Sequence, residues 1–154
     1  MISMDLRADI VPSEGLGGFY LGNHLADYSD IIEEYLIKER LLYKQVYVYT
    51  TRYQFGGFPV EINVDTRSGL VYMISAITGY KGKFDKSIYV GQSVKSVIES
   101  QKGFYYDECE EGVFSSQYAG ISMDVSEEDP LPDEVMGLNI DAISVFLPEA
   151  FKSK

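Results

Sequence analysis

Hydrophobic and polar positions follow a period of two over much of this chain. Val60, Ile62 and Val64 alternate with Glu61, Asn63 and Asp65, the pattern of a strand with one buried face. Residues 46–51 are β-branched and aromatic throughout, and residues 70–77 are apolar enough for a central strand. Residues 54–59, with Gly56-Gly57, read as a turn, and residues 65–69 as a hairpin loop with glycine late in it. Further on, residues 104–109, 113–118, 121–125 and 140–147 read as strands. Glu110-Glu111-Gly112, Ala119-Gly120 and a loop over 126–137 holding Pro130 and Pro132 separate them.

Helical spacing appears twice. A helix is predicted over residues 24–44, with Ile32, Tyr35, Leu36 and Leu42 as its buried stripe and a break possible at Asp30, where Glu33 would complete a capping pair. A shorter helix starts after Ser93, buries Val94, Val97 and Ile98, and stops by Gly103. Residues 1–14 read as a loose lead-in ending in the turn Pro12-Ser13-Glu14-Gly15. Residues 15–22 hold glycine where the backbone must turn, and lack the spacing of a dinucleotide fingerprint.

The elements come in the same order twice. Tyr20-Leu21-Gly22 and Tyr89-Val90-Gly91 each open a helix, 69 residues apart. Ile74-Ser75-Ala76-Ile77 and Ile143-Ser144-Val145-Phe146 each close a unit, also 69 apart. The predicted fold is α+β, a single domain over 1–154. It contains two tandem helix-plus-antiparallel-meander repeats, near 20–78 and 89–148, whose helices cover one face of an antiparallel sheet. The other face would be free to bind. The helix-opening pattern followed by a meander resembles the repeat unit of the beta-lactamase inhibitory protein and the small outer-membrane lipoprotein modules related to it.

Charge changes the picture. Residues 104–150 hold twelve Asp or Glu and no Lys or Arg, while the other 107 residues balance twelve acids against thirteen bases. The net charge of −11 therefore resides in one third of the chain. Such a surface disfavours nucleic acid and anionic membranes and suits a basic partner. Thirteen Tyr and no Trp add rings that serve strands and interfaces alike. The lone Cys109 rules out an internal disulfide and points to a reducing, cytoplasmic compartment; its place in a predicted strand makes it a core residue. The start Met1-Ile2-Ser3-Met4-Asp5-Leu6-Arg7 does not read as a signal peptide, and no stretch reaches the length of a membrane span.

Catalytic chemistry is not indicated. His24 is the single histidine, too few for a triad or a usual zinc site, and acids flank Cys109, which disfavours its thiolate. Residues 124–129 lack EF-hand spacing. No catalytic residue, metal or cofactor is assigned, and the chain is read as a non-enzyme. The candidate partner-binding residues form two groups. Tyr105, Tyr106, Asp107, Glu108, Glu110 and Glu111 make the first, with Tyr105 and Asp107 on one strand face and Tyr106, Glu108 and Glu110 on the other. Asp124, Glu127, Glu128, Asp129, Asp133 and Glu134 make the second.

In size, acidity, absence of catalytic residues and duplicated plan the chain resembles the small acidic immunity proteins of bacterial contact-dependent inhibition and polymorphic toxin systems. That resemblance implies a protein that binds and neutralises a cognate basic toxin domain. A nuclease fits, because carboxylates and tyrosine rings mimic phosphates and bases. The alternatives are a small-ligand-binding protein or enzyme with a carboxylate-lined pocket, or an adaptor whose acidity serves solubility.

Overall fold

The computed structural model describes residues 3–151. A short hairpin comes first, β1 (Gly15–Leu16) and β2 (Phe19–Tyr20). A 3-10 turn over Leu25–Tyr28 leads into α1 (Ser29–Ile37). The first meander follows: β3 (Leu41–Tyr47), β4 (Thr50–Phe55), β5 (Phe58–Asp65) and β6 (Val71–Ala76). After α2 (Val94–Ser100) comes the second: β7 (Phe104–Asp107), β8 (Gly112–Ser115), β9 (Ile121–Val125) and β10 (Ile140–Phe146). All eight strands from β3 to β10 join one antiparallel sheet in the order β3-β4-β5-β6-β10-β9-β8-β7. The two meanders meet at the β6–β10 ladder, where Ser75 lies opposite Ser144 and Ile74 opposite Val145.

Alternation sorts the side chains onto two faces. Val60, Ile62 and Val64 of β5, Ile74 and Ala76 of β6, Ile143 and Val145 of β10, and Ile121 and Met123 of β9 are buried in one cluster. Ile31 of α1 and Val94 and Val97 of α2 belong to the same cluster, so both helices lie on this face. Two short helices do not cover eight strands. The middle is closed by Leu16 and Phe19 of the β1–β2 hairpin and by Tyr80, Phe84 and Ile88 of the connector before α2.

The long helix expected over 24–44 does not form. His24 instead caps the 3-10 turn: its Nδ1 accepts from the Ala26 amide (3.0 Å), and Asp27 accepts from the His24 amide (3.0 Å). This replaces the expected Asp30–Glu33 pair; α1 begins without a side-chain cap. Its run ends at Ile37, and Glu39 takes a left-handed backbone (φ 56°) that turns the chain into β3. Leu42 is consequently 63% exposed on an edge strand rather than part of a buried helical stripe. Pairing with β4 overrides the helical reading. The run 46–51 is split by a turn at Val48 and Tyr49 between β3 and β4. Ser93 caps α2 as expected, accepting from the Ser96 amide.

The lead-in is tied down rather than loose. Ile10 is buried. The Tyr80 hydroxyl accepts from the Gly17 amide (2.8 Å) and donates to the Ala8 carbonyl (2.6 Å). Gly17 and Gly18 make the β1–β2 turn with positive φ, and a Cβ on Gly18 would strike the Ser3 carbonyl. The Tyr28 hydroxyl likewise accepts from the Tyr20 amide and donates to the Tyr20 carbonyl. Residues 1–2 and 152–154, the start of the lead-in and the polar tail, lie outside the described residues.

Burial, aided by the charges of Asp5 and Asp9 and opposed by the Gly17 hydrogen bond, pushes the Tyr80 hydroxyl up to about 12. The folded state therefore keeps a proton that the unfolded chain releases near pH ~10. This stability is fully present below that value and is lost as pH rises toward 12. Tyr80→Phe is expected to cost about 1–3 kcal/mol at neutral pH, by stranding the Gly17 amide, and to flatten the alkaline limb. Urea titrations at neutral and alkaline pH check both.

Candidate functional site

The acidic residues gather at the β7–β8 end of the sheet. Strand β7 stops at Asp107 because the Asp107 side chain turns the chain: its Oδ1 accepts the amides of Cys109 (2.9 Å) and Glu110 (3.0 Å). Glu108 and Glu110 therefore lie on an exposed hairpin turn, not with Tyr106 on one face of a strand, and Cys109 is exposed rather than in the core. Glu111, with φ 55°, closes the turn, and its Oε1 accepts the Asp129 amide at 2.9 Å. That bond fastens the loop carrying Glu127, Glu128 and Asp129 against the hairpin.

Tyr106 marks the junction. Its hydroxyl is pushed above the usual tyrosine range by desolvation first, and then by Glu111, Glu108, Asp129 and Asp107. Acids from both sequence groups thus act on one ring. Asp133 and Glu134 stand apart from this junction. They are exposed just before the 3-10 turn Val135–Gly137, which packs on α2. Among the described residues the two ion pairs, Lys38–Glu34 and Arg67–Asp65, both lie in the first half of the chain. None neutralises the acidic corner.

The uncovered sheet face runs from this corner across the whole molecule. Registers place Tyr105, Phe114, Ser122, Ser144, Ser75, Glu61, Gln54 and Leu42 in one row on it. Asp107, Gly112, Asp124 and Ala142 form the neighbouring row in the second half. Tyr105, Asp107 and Asp124 therefore share the open face, while Tyr106 pairs with Val113 on the covered side.

The Asp124 carboxyl is held above the usual range by desolvation; Arg52 lowers it, and Asp141 and Glu61 raise it further. Arg52 and Glu61 belong to β4 and β5, in the other meander. Three strands separate β4 from β9, about 19 Å on a flat sheet. Asp124 is exposed as a residue, yet neighbouring groups take enough water from its carboxyl for desolvation to be the first cause of the shift.

The opposite end of the same face holds a cavity of about 910 Å³, between the β3–β4 and β5–β6 hairpins and the end of β10. Its lining includes Arg52 and Arg67 as well as Asp65 and Glu149. It is a mixed-charge, tyrosine-walled cavity, not the carboxylate-lined pocket of the alternative reading. Sequence reasoning missed it because its residues are scattered over four strands, two hairpin turns and the segment after β10. The signal present was Tyr47-Val48-Tyr49 at one hairpin tip and Arg67 at the next.

No family model and no curated protein matches this chain. A solved structure similar to it is that of the uncharacterized protein yfeY from Escherichia coli, with a TM-score of 0.60 and 15% identity. The match covers 88% of this chain and 98% of that chain, and at this identity it concerns the fold alone. No helix among the described residues is long and apolar enough to cross a membrane.

Two measurements check these electrostatics. Tyr106 should ionise above free tyrosine, and Glu108→Gln with Glu111→Gln should bring its midpoint down, read by ring-carbon NMR through an alkaline titration. Asp124→Asn should raise stability at neutral pH, by no more than about 0.5 kcal/mol after solvent screening. The folded-state value lies above the unfolded one, so ionisation disfavours folding. The advantage should vanish at a pH where the carboxyl is protonated in both states.

Proposed function

We propose that this chain is an inhibitor of the immunity type, which docks a basic protein toxin through its acidic corner and the adjoining open sheet face. The observation that carries this reading is the Glu111–Asp129 bond. It brings two acidic groups from separate stretches of sequence onto one exposed corner, where no ion pair forms among the described residues. Scattered solubilising charge would not need such a link. Tyr105, Asp107 and Asp124 extend the same chemistry onto the open face, where a ring and carboxylates can enter a basic groove. A nuclease is the toxin class whose substrate this surface best imitates.

The scaffold is proposed to be two copies of one helix-plus-meander unit. Two facts support this. The strand order is mirrored about the β6–β10 seam. Ser75 and Ser144, 69 residues apart as in the sequence repeat, face each other there. An open sheet face built from two such units suits the capture of a protein surface. The site of action is proposed to be the bacterial cytoplasm, where the exposed Cys109 would stay reduced.

The test starts with the protein captured from the producing cells and identified by mass spectrometry. Its association rate is then measured by stopped flow. Changing Asp107, Glu108, Glu110 and Glu111 to Lys should slow association at low salt by roughly 10- to 1,000-fold. The gap should narrow as salt screens the corner. Equal rates at low salt would remove the acidic corner from the interface.

A further inference from the structure

We propose that the cavity at the far end of the open face binds a small molecule carrying one anionic group on an apolar, ring-sized body. This site lies away from the acidic corner and does not depend on the toxin reading. The anchor is Arg52. Its Nε donates to the Asn63 Oδ1 (3.0 Å), and the Asn63 amide in turn donates to the Met73 sulfur (3.4 Å). Asn63 is only 4% exposed, so this support is fixed in the sheet. An amide orients a guanidinium without neutralising it. Among the described residues Arg52 forms no ion pair, so a half-buried positive charge faces the cavity with donors left for an anion.

The rest of the lining limits what that anion is. Arg67 is already engaged: its Nε and Nη2 both donate to Asp65, and its guanidinium lies 4.2 Å from the Tyr49 ring centre. Arg52 therefore remains without an ion pair among the described residues, with Glu149 and the Arg67-bound Asp65 on the walls. Two cations and two acids leave no excess positive charge, so the lining holds at most one negative group, at the Arg52 donors that Asn63 does not use, and repels a polyphosphate. The Thr50 and Tyr72 hydroxyls, 2.6 Å apart, give the cavity a polar side. Met73 and Leu147 give it an apolar one. A volume of about 910 Å³ falls in the range of small-molecule sites.

The probes are naphthoate and its neutral counterpart naphthylmethanol, titrated into the full chain with methyl-labelled methionine and followed by NMR. Naphthoate should shift the Met73 methyl resonance saturably and bind at least about tenfold tighter than the alcohol. Arg52→Gln should erase that preference, and Arg52→Lys should restore part of it. Leu147→Trp fills the cavity with Arg52 in place and should abolish binding, which keeps the test decisive where Arg52→Gln does not fold. The variant with lysines at the acidic corner should bind naphthoate as the parent does. Equal affinity for acid and alcohol, an unmoved Met73 resonance, or naphthoate binding that survives Leu147→Trp would overturn the proposal.

Discussion

The β6–β10 ladder is the interaction on which the rest of the structure depends. Each meander is built from neighbours in sequence, joined by hairpins and one longer loop. At this ladder strands 69 residues apart must find each other. On the covered side Ile74, Ala76, Ile143 and Val145 are fully buried across it. On the open side the Ser75 and Ser144 hydroxyls hydrogen-bond at 2.7 Å, which satisfies two polar groups at the centre of the sheet. A contact of this sequence separation pays its loop-closure entropy before it gains any packing, so it forms late and makes folding cooperative. Without it there are two four-stranded sheets, each too small to hide its own apolar face.

The seam also places the two candidate sites. It makes one continuous surface whose ends differ in chemistry. At the β7–β8 end, carboxylates crowd around a tyrosine and form no ion pair among the described residues. At the β3–β4 end, an arginine is held by an amide inside a tyrosine-walled cavity. The halves act on each other across this face, since Arg52 lowers and Glu61 raises the Asp124 carboxyl. The acidic third of the chain and the balanced two thirds thus form opposite ends of a single face.

Where local pattern and tertiary demand agree, the elements could be read from residues alone. Val60, Ile62 and Val64 alternate cleanly and are buried, and Gly56-Gly57 makes the turn before them. Residues 41–47 fit helical and strand periods equally well; the left-handed Glu39 and the β4 partner, not propensity, decide between them. Cys109 was misplaced because Asp107 ends its strand two residues early through a side-chain bond to the following amides. The charge of each acidic group was plain in the sequence. Their junction was not, since it rests on one hydrogen bond spanning 18 residues. The cavity was invisible for a similar reason: neighbouring strands supply it one or two residues at a time.

Strand β3 borders the sheet with Leu42, Tyr43 and Tyr47 all open to solvent. A flat border of this composition invites molecules to stack strand against strand into fibres. Its pairing with β4 shifts register between Gln45 and Tyr47, and Lys44 stands midway along it. An irregularity kinks the border out of the plane another strand would need, and a buried lysine would penalise any that tried. The bulge and the lysine thus oppose edge-to-edge pairing along a margin whose other side chains would favour it.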